Sequence, residues 1–394
     1  MSASGHITVV DLFSGAGGLS LGWRRAAPSL VNVIAAVDSD ASLLPLFEAN
    51  HPGTGFLRHE FGEPGKQIEA EALSRNLELQ AGDIDVLLAG PPCQPFSAAG
   101  KRTPGDDGML VFHVCDIASH LKPRIVLIEN VPEFSRVQDG RLLGRLRVAF
   151  HSAGFKTDVR VLRADSFGVP QTRTRCFMVA IREDVRAPVR PLVDLVQATH
   201  VAYESKPANN VNGSLQRNFY ESLLPTVTVE EAIGDLPALA ASEGNPISRY
   251  STVPFSSYQR ELWNSEGTLF NHVAVSHSAK LIDAIARLKI GETPQRYDDH
   301  PLRPKEYFRA AYARLDPHAP APTITTQTHN PGSGRFTHYR DHRVITVREA
   351  ARLQGFPDEF QFFGTQEAQR RHVGNAVPPL MAEALAKNLL HLLT

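Results

Sequence analysis

The first half of the chain alternates between short apolar runs and stretches with helical periodicity. Residues 7–13, I-T-V-V-D-L-F, form an apolar run broken by one aspartate and predict a buried parallel strand. That run ends in S-G-A-G-G at 14–18, and a helical pattern follows from Leu19. Residues 31–37 predict a second strand, ending at Asp38. Residues 84–89 predict another, which runs straight into G-P-P-C-Q-P-F-S at 90–97. The prolines stiffen this turn, because each fixes its own φ and restricts the residue before it. Residues 98–109 are small, polar and glycine-rich, the composition of a mobile loop able to close over a ligand. A helix is expected over 110–121, and a buried strand over 125–128 that delivers Glu129, Asn130 and Val131 at its carboxyl end. Residues 140–153 have helical periodicity, with arginines at 141, 145 and 147. Strands over 156–162 and 176–181, read as an antiparallel pair, flank Q-T-R-T-R at 171–175. This alternation predicts a doubly wound, Rossmann-like α/β domain.

The rhythm stops near residue 183. Pro188, Pro191, Pro207 and the asparagines at 209, 210 and 212 mark a boundary. Residues from about 190 to 325 predict a smaller, irregular second domain with short strands. The pattern sharpens again at T-V-R-E-A-A-R-L-Q-G-F-P, 346–357. Thr346 caps a helix there, Glu349 stands at the capping-box position, and Gly355 and Pro357 end it. Residues 380–392 are amphipathic and are expected to pack back on the first domain. The division expected is therefore 1–185, 186–325 and a return segment, 326–394.

Composition narrows the setting. At 394 residues and 42% hydrophobic, the chain suits a soluble globular protein of about two domains. No apolar run is long enough to span a bilayer, and no basic segment followed by an apolar one opens the chain, so neither a membrane span nor a secretory signal is expected. Cys93, Cys115 and Cys176, irregularly spaced, suggest neither a disulfide framework nor a metal site, and a reducing, cytoplasmic setting follows. The net charge of −1 hides an asymmetry. Residues 1–120 hold 7 basic and 14 acidic side chains, a net of −7, whereas residues 281–352 hold 12 and 8, a net of +4. A polyanion would meet the later part.

Candidate chemistry collects at predicted strand ends, where ligands bind in open α/β sheets. Strand, glycine turn and helix bring backbone amides to a nucleotide-like ligand, and Asp38, 23 residues after Gly15, is spaced to take the hydroxyls of a ribose. Ser20 stands where a dinucleotide fingerprint needs its third glycine. That disfavours a nicotinamide cofactor and leaves an adenosine ligand without a pyrophosphate. A thiolate such as that of Cys93 adds to carbon 6 of a pyrimidine and makes carbon 5 nucleophilic. The step needs the ring nitrogen hydrogen-bonded or protonated, a task for Glu129 if burial raises its pKa. An arginine would hold the ring carbonyl and favour the thiolate. S-adenosylmethionine is the adenosine ligand that would supply the methyl group. Taken singly, each part has an ordinary alternative: a buried structural thiol, a helix-capping glutamate, a solvated strand edge carrying Arg173 and Arg175, a tight turn without a ligand.

Taken together, the sequence resembles the bacterial DNA cytosine-5 methyltransferases of restriction-modification systems. The resemblance rests on D-L-F-S-G-A-G-G-L-S (11–20), G-P-P-C-Q-P-F-S, E-N-V (129–131), Q-T-R-T-R, R-E-A-A-R-L-Q-G-F-P (348–357) and V-G-N-A-V-P-P (373–379), which stand in the family's linear order. It implies a methyltransferase domain with a smaller target-recognition domain between about 185 and 325, where E-E-A-I-G-D-L-P (230–237) and A-P-T-I-T-T (321–326) also fit the family. It implies Cys93 as nucleophile, Glu129 on the cytosine ring, Arg175 on its carbonyl and Arg173 supporting the loop. Phe13, Ser14, Gly15, Gly17, Gly18, Leu19, Asp38, Ser39, Pro92, Asn375 and Ala376 would surround S-adenosylmethionine, with no metal. The substrate implied is double-stranded DNA with the target base flipped out of the helix. A monomer is expected, with a partner restriction endonuclease acting independently. The sequence departs from the family in three places. Arg58-His59-Glu60-Phe61 stands where an aspartate and an apolar residue usually meet the adenine, and Gly82-Asp83-Ile84 lies too near Cys93 to replace it. Ser39 follows Asp38 where a bulky residue is common. His372 replaces the glutamine usual before Val-Gly-Asn. A tRNA cytosine-5 methyltransferase shares the core motifs, and a catalytically silent DNA-binding homologue is the alternative from another class.

Overall fold

A computed structural model describes residues 5–62, 67–92, 110–203, 223–294 and 310–394, with only the backbone of 67–69. The predicted 98–109 loop and Cys93 lie outside these residues. The chain forms two compact units. The first comprises residues 1–163, 174–197 and 379–394, and the second 164–173 and 198–378.

In chain order the first unit is built from β1 (Ile7–Leu12), α1 (Gly18–Ala26), β2 (Val31–Asp38), α2 (Leu44–Asn50), β3 (Gly55–Arg58), α3 (Gln67–Asn76), β4 (Val86–Ala89), α4 (Leu110–Leu121), β5 (Ile125–Asn130), α5 (Arg141–Ser152), β6 (Phe155–Arg163) and β7 (Thr174–Arg182). The second carries α6 (Val229–Ile233), β8 (Gly244–Arg249), α7 (Ser257–Leu262), β9 (Thr268–Val273), α8 (Ala279–Ala286), α9 (Val347–Gln354) and α10 (Gln366–Asn375). The chain then returns to the first unit as α11 (Pro379–Leu389).

The seven strands of the first unit form one sheet in the order β3-β2-β1-β4-β5-β7-β6. β1 to β5 are parallel. β7 runs antiparallel between β5 and β6, with Leu162 opposite Arg175 and Asn130 opposite Cys176. The expected α/β architecture and the antiparallel pair are therefore both present. β4 and β5 are buried at every position, as a sheet covered on both faces requires. Burying each Val, Leu or Ile there contributes about 1.5–3 kcal/mol. β3, a short strand with exposed ends, has no such run and was not predicted.

The second unit is less regular, with short helices and one antiparallel pair, β8–β9. α9 begins as its sequence predicts. Thr346 Oγ1 accepts from the Glu349 amide, the Glu349 carboxylate accepts from the Thr346 amide, and Gly355 closes the helix at φ 85°.

α11 packs on α1, as expected of the last amphipathic helix. The approach is close at Gly22, where a Cβ would stand 2.5 Å from Ala382 Cβ and from the Pro379 carbonyl oxygen. Gly22→Ala is therefore expected to destabilise the protein by about 1–3 kcal/mol in denaturant unfolding, through a lower midpoint. An unchanged midpoint would show that the helices shift without cost.

One buried acid sits at the root of the β1–α1 turn. Asp11, wholly buried, accepts a 2.6 Å hydrogen bond from Ser20 Oγ in the first turn of α1. Burial, against the lowering effect of Ser20, pushes its pKa up to about 7. The folded chain thus keeps a proton that the unfolded chain releases near pH 3.8. Stability from this group is complete below that value and is lost as pH rises towards 7, by about 1.4 kcal/mol per unit. Asp11→Asn keeps the acceptor for Ser20 without the charge. Its melting temperature relative to the unsubstituted protein should rise between about pH 5 and about pH 8. A difference independent of pH would mean that Asp11 is ionised throughout.

Candidate active site

At the switch point the order of the parallel strands reverses between β1 and β4, and their carboxyl ends lie side by side. The Gly90 amide donates to the Leu12 carbonyl, and a Cβ at Gly90 would approach the Phe13 carbonyl oxygen to 3.3 Å. The glycine turn leaves β1 through Phe13, which adopts φ 52° and packs its ring on Phe61 with centroids 4.6 Å apart. The Ser14 amide donates to the Val37 carbonyl, and its Oγ is buried with no hydrogen-bond partner among the described residues. Gly15, at φ 50°, faces open space and donates its amide to Asp38 Oδ2 at 2.9 Å. Asp38 Oδ1 takes the Asp40 amide at 3.0 Å. Each carboxylate oxygen keeps a lone pair for a further donor.

Beneath the turn lies His51. A Cβ at Gly17 would stand 2.5 Å from its Nε2, so glycine is required both by space and by φ 74°. Burial first, and then Arg24, lower the His51 pKa to about 4, so the ring is neutral near pH 7. Gly18 and Leu19 open α1 and are buried, whereas Ser39 is exposed.

The cysteine loop begins at Pro91 and Pro92, and Pro92 is exposed. Asn130 Nδ2 donates to the Pro91 carbonyl at 3.3 Å, and Asn130 Oδ1 accepts from the Val131 amide at 2.8 Å. The ends of β4 and β5 are thus clamped by one side chain, whose role the sequence motif did not reveal. Glu129 is 8% exposed. Arg175 Nε lies 2.7 Å from its Oε1, but the N–H is not directed at that oxygen, which accepts no hydrogen bond among the described residues. The pair is an ion pair with an acceptor left over. The other two cysteines are buried, and burial above all pushes both thiols up to about 12. Neither is a thiolate near neutral pH, and Cys93 is the remaining candidate.

Arg173, Asn375 and Ala376 belong to the second unit. Arg173 is 2% exposed and donates through Nη1 to the Ile324 carbonyl at 3.0 Å. Neither it nor Arg175 is a solvated strand edge. Asn375 ends α10 and is exposed, and Ala376 follows in extended conformation. Two side chains not assigned a role from sequence, Gln171 and Gln354, are fully buried close by.

The chain is similar to known proteins over nearly all of its length. The family model for C-5 cytosine-specific DNA methylases matches residues 7–391. The chain is similar to the Type II methyltransferase M.DdeI of Desulfomicrobium norvegicum, 29% identical over 97% of this chain and 88% of that one. It is equally similar to M1.HphI of Haemophilus parahaemolyticus, over 98% of this chain and 88% of that one. An E. coli prophage protein, assigned in its crystal structure as a DNA modification methyltransferase, matches with a TM-score of 0.74 and 25% identity, over 98% of this chain and 99% of that one. The Schizosaccharomyces pombe Dnmt2 methyltransferase shares the fold, with a TM-score of 0.56 at 15% identity over 98% of each chain. The chain belongs to the C-5 cytosine-specific DNA methylase family and is a DNA cytosine-5 methyltransferase.

Proposed function

We propose that the protein methylates carbon 5 of one specific cytosine in double-stranded DNA, through a covalent Cys93 adduct on a base flipped out of the duplex. The observation that carries this reading is the clamp at the strand ends. Asn130 ties the start of the cysteine loop to the strand that bears Glu129, and Glu129 keeps a buried acceptor oxygen beside Arg175.

S-adenosylmethionine suits the glycine turn. The unpartnered Ser14 Oγ, the spare lone pairs of Asp38 and the open space at Gly15 offer polar contacts and room for a nucleoside. Phe13, Gly17, Gly18, Leu19, Ser39, Pro92, Asn375 and Ala376 complete the set that would hold it. When bound, it supplies an electrophilic sulfonium methyl group and departs as the neutral thioether.

The protein residues prepare the base. The Cys93 thiolate adds to carbon 6, and the ring electrons move towards N3 and carbon 5. Glu129 holds N3 through a proton as charge develops there, and Arg175 holds the carbonyl oxygen. Carbon 5 is thereby made nucleophilic, ready for the methyl group that the bound donor would supply. The carbon 5 proton leaves to a solvent base, and the Cys93 thiolate departs as the aromatic ring re-forms. Arg173, anchored on Ile324, supports the segment that carries Arg175.

Recognition of the DNA sequence is assigned to residues 186–325. The net charge of +4 over 281–352, against −7 over 1–120, supports a DNA contact in the later part of the chain. The protein is read as a monomer of the cytoplasm, acting beside an independent restriction endonuclease, as the Type II naming of its relatives suggests.

Bisulfite sequencing of DNA from an expressing host should reveal one methylated motif. Cys93→Ser should abolish the signal, and Glu129→Gln should lower the methylation rate by about 10²-fold or more with purified duplex. Full activity in Cys93→Ser would overturn the covalent mechanism. Methyl incorporation into bulk tRNA rather than genomic DNA would overturn the substrate assignment.

A further inference from the structure

Two buried glutamines connect distant segments of the second unit. Gln171 and Gln354 are both 0% exposed. Gln171 Oε1 accepts from the Ile324 amide at 3.0 Å, which fixes the orientation of its side-chain amide. Its Nε2 therefore donates to the Leu353 carbonyl, at 2.9 Å, and to Gln354 Oε1. Gln354 is oriented in turn, and its Nε2 donates to the carbonyls of Val373, at 2.7 Å, and Ala376, at 3.3 Å.

Close packing completes the circuit that these bonds begin. Ile324 also accepts from Arg173 Nη1. The two residues after it, Thr325 and Thr326, support Gly374 from below. A Cβ there would stand 2.4 Å from the Thr325 carbonyl carbon and 2.5 Å from the Thr326 nitrogen. The 373–376 segment is thus held between Gln354 and the 324–326 backbone, and Gln171 bonds to both.

From this we infer that Gln171 and Gln354 are a pair of positioning residues. They set the 373–376 segment, with Asn375 and Ala376, in register with the Q-T-R-T-R segment that carries Arg173. The inference rests on the assignment of Asn375 and Ala376 to the methyl donor. Neither glutamine touches a substrate. An amide is required at both positions, because each side chain accepts at one end and donates at the other. A carboxylate at 354 would face two carbonyl oxygens, and one at 171 would face a carbonyl and an amide oxygen.

The test is binding of S-adenosylhomocysteine to the full-length protein by calorimetry, at a temperature where melting curves show each variant folded. Gln171→Glu, Gln354→Glu and their combination are compared, with Gln171→Met as the milder change should a glutamate prevent folding. Both single substitutions should weaken binding by about tenfold. The double substitution should weaken it by much less than the product of the two, as expected of side chains in one network. Gln171→Met should act in the same direction with a smaller effect. Binding within about twofold in either Gln171 variant, or strictly multiplicative effects, would overturn the coupling. Asn375→Ala separates the two levels. If it weakens binding while the glutamine variants do not, the pair alone is disproved. If it leaves binding unchanged, the donor assignment falls and the inference with it.

Discussion

The reversal of strand order between β1 and β4 is the constraint on which the rest of the first unit depends. From β1 the chain winds outward to β2 and β3, then crosses back to β4 and continues to β5. In a doubly wound sheet such a crossover opens a crevice at the carboxyl ends of the two strands it separates, here β1 and β4. The groups assigned to the chemistry from this unit stand at strand ends: the glycine turn after β1, Asp38 at the end of β2, the cysteine loop after β4, Glu129 near the end of β5, and Arg175 near the start of the antiparallel β7. The hydrogen bond from the Gly15 amide to Asp38 and the clamp of Asn130 on Pro91 tie these ends together.

Much of this architecture was legible in the sequence because parallel strands covered on both faces must be apolar throughout. Residues 84–89 and 125–128 could hardly be anything else, and the glycines at 15 and 17 marked the turn. The capping box of Thr346 and Glu349 was equally readable, because its signal is local. β3 escaped notice because its four residues are half-exposed and carry no period. The links within the second unit escaped for a different reason. Gln171 lies 183 residues from Gln354. Polar side chains ordinarily belong at the surface, so nothing near either residue in sequence announced that it was buried.

The arginine pair shows the same limit at close range. Alternation along an extended segment placed Arg173 and Arg175 on one face and suggested a shared task. Their partners differ. Arg175 lies against the Glu129 carboxylate, whereas Arg173 is buried on a backbone carbonyl. Parity predicts the direction of a side chain but not what waits there. The same holds for the cysteines. Cys115 and Cys176 are buried, which keeps their protons on, and nothing in their sequence neighbourhood set them apart by residue type.

The second unit also holds several buried charges, and they sharpen the case for amides at 171 and 354. Arg352 is wholly buried between Asp235 and Asp358, and Arg343 donates twice to Glu349. Both of these arginines have acidic partners, which offset the several kcal/mol that an unpaired ion in the interior costs. The 373–376 segment offers only neutral carbonyls. A carboxylate there would meet like-signed oxygens, and a lysine or arginine would need a counter-ion. A primary amide avoids both costs. It donates two bonds and accepts two, carries no charge, and has a direction. Two in series transmit that direction from the Ile324 amide to the Val373 carbonyl without an ion in the interior. A wrong orientation at either residue would leave a buried donor or acceptor unmade, at about 1–3 kcal/mol, so the register of the segments is set by hydrogen-bond polarity rather than by packing alone.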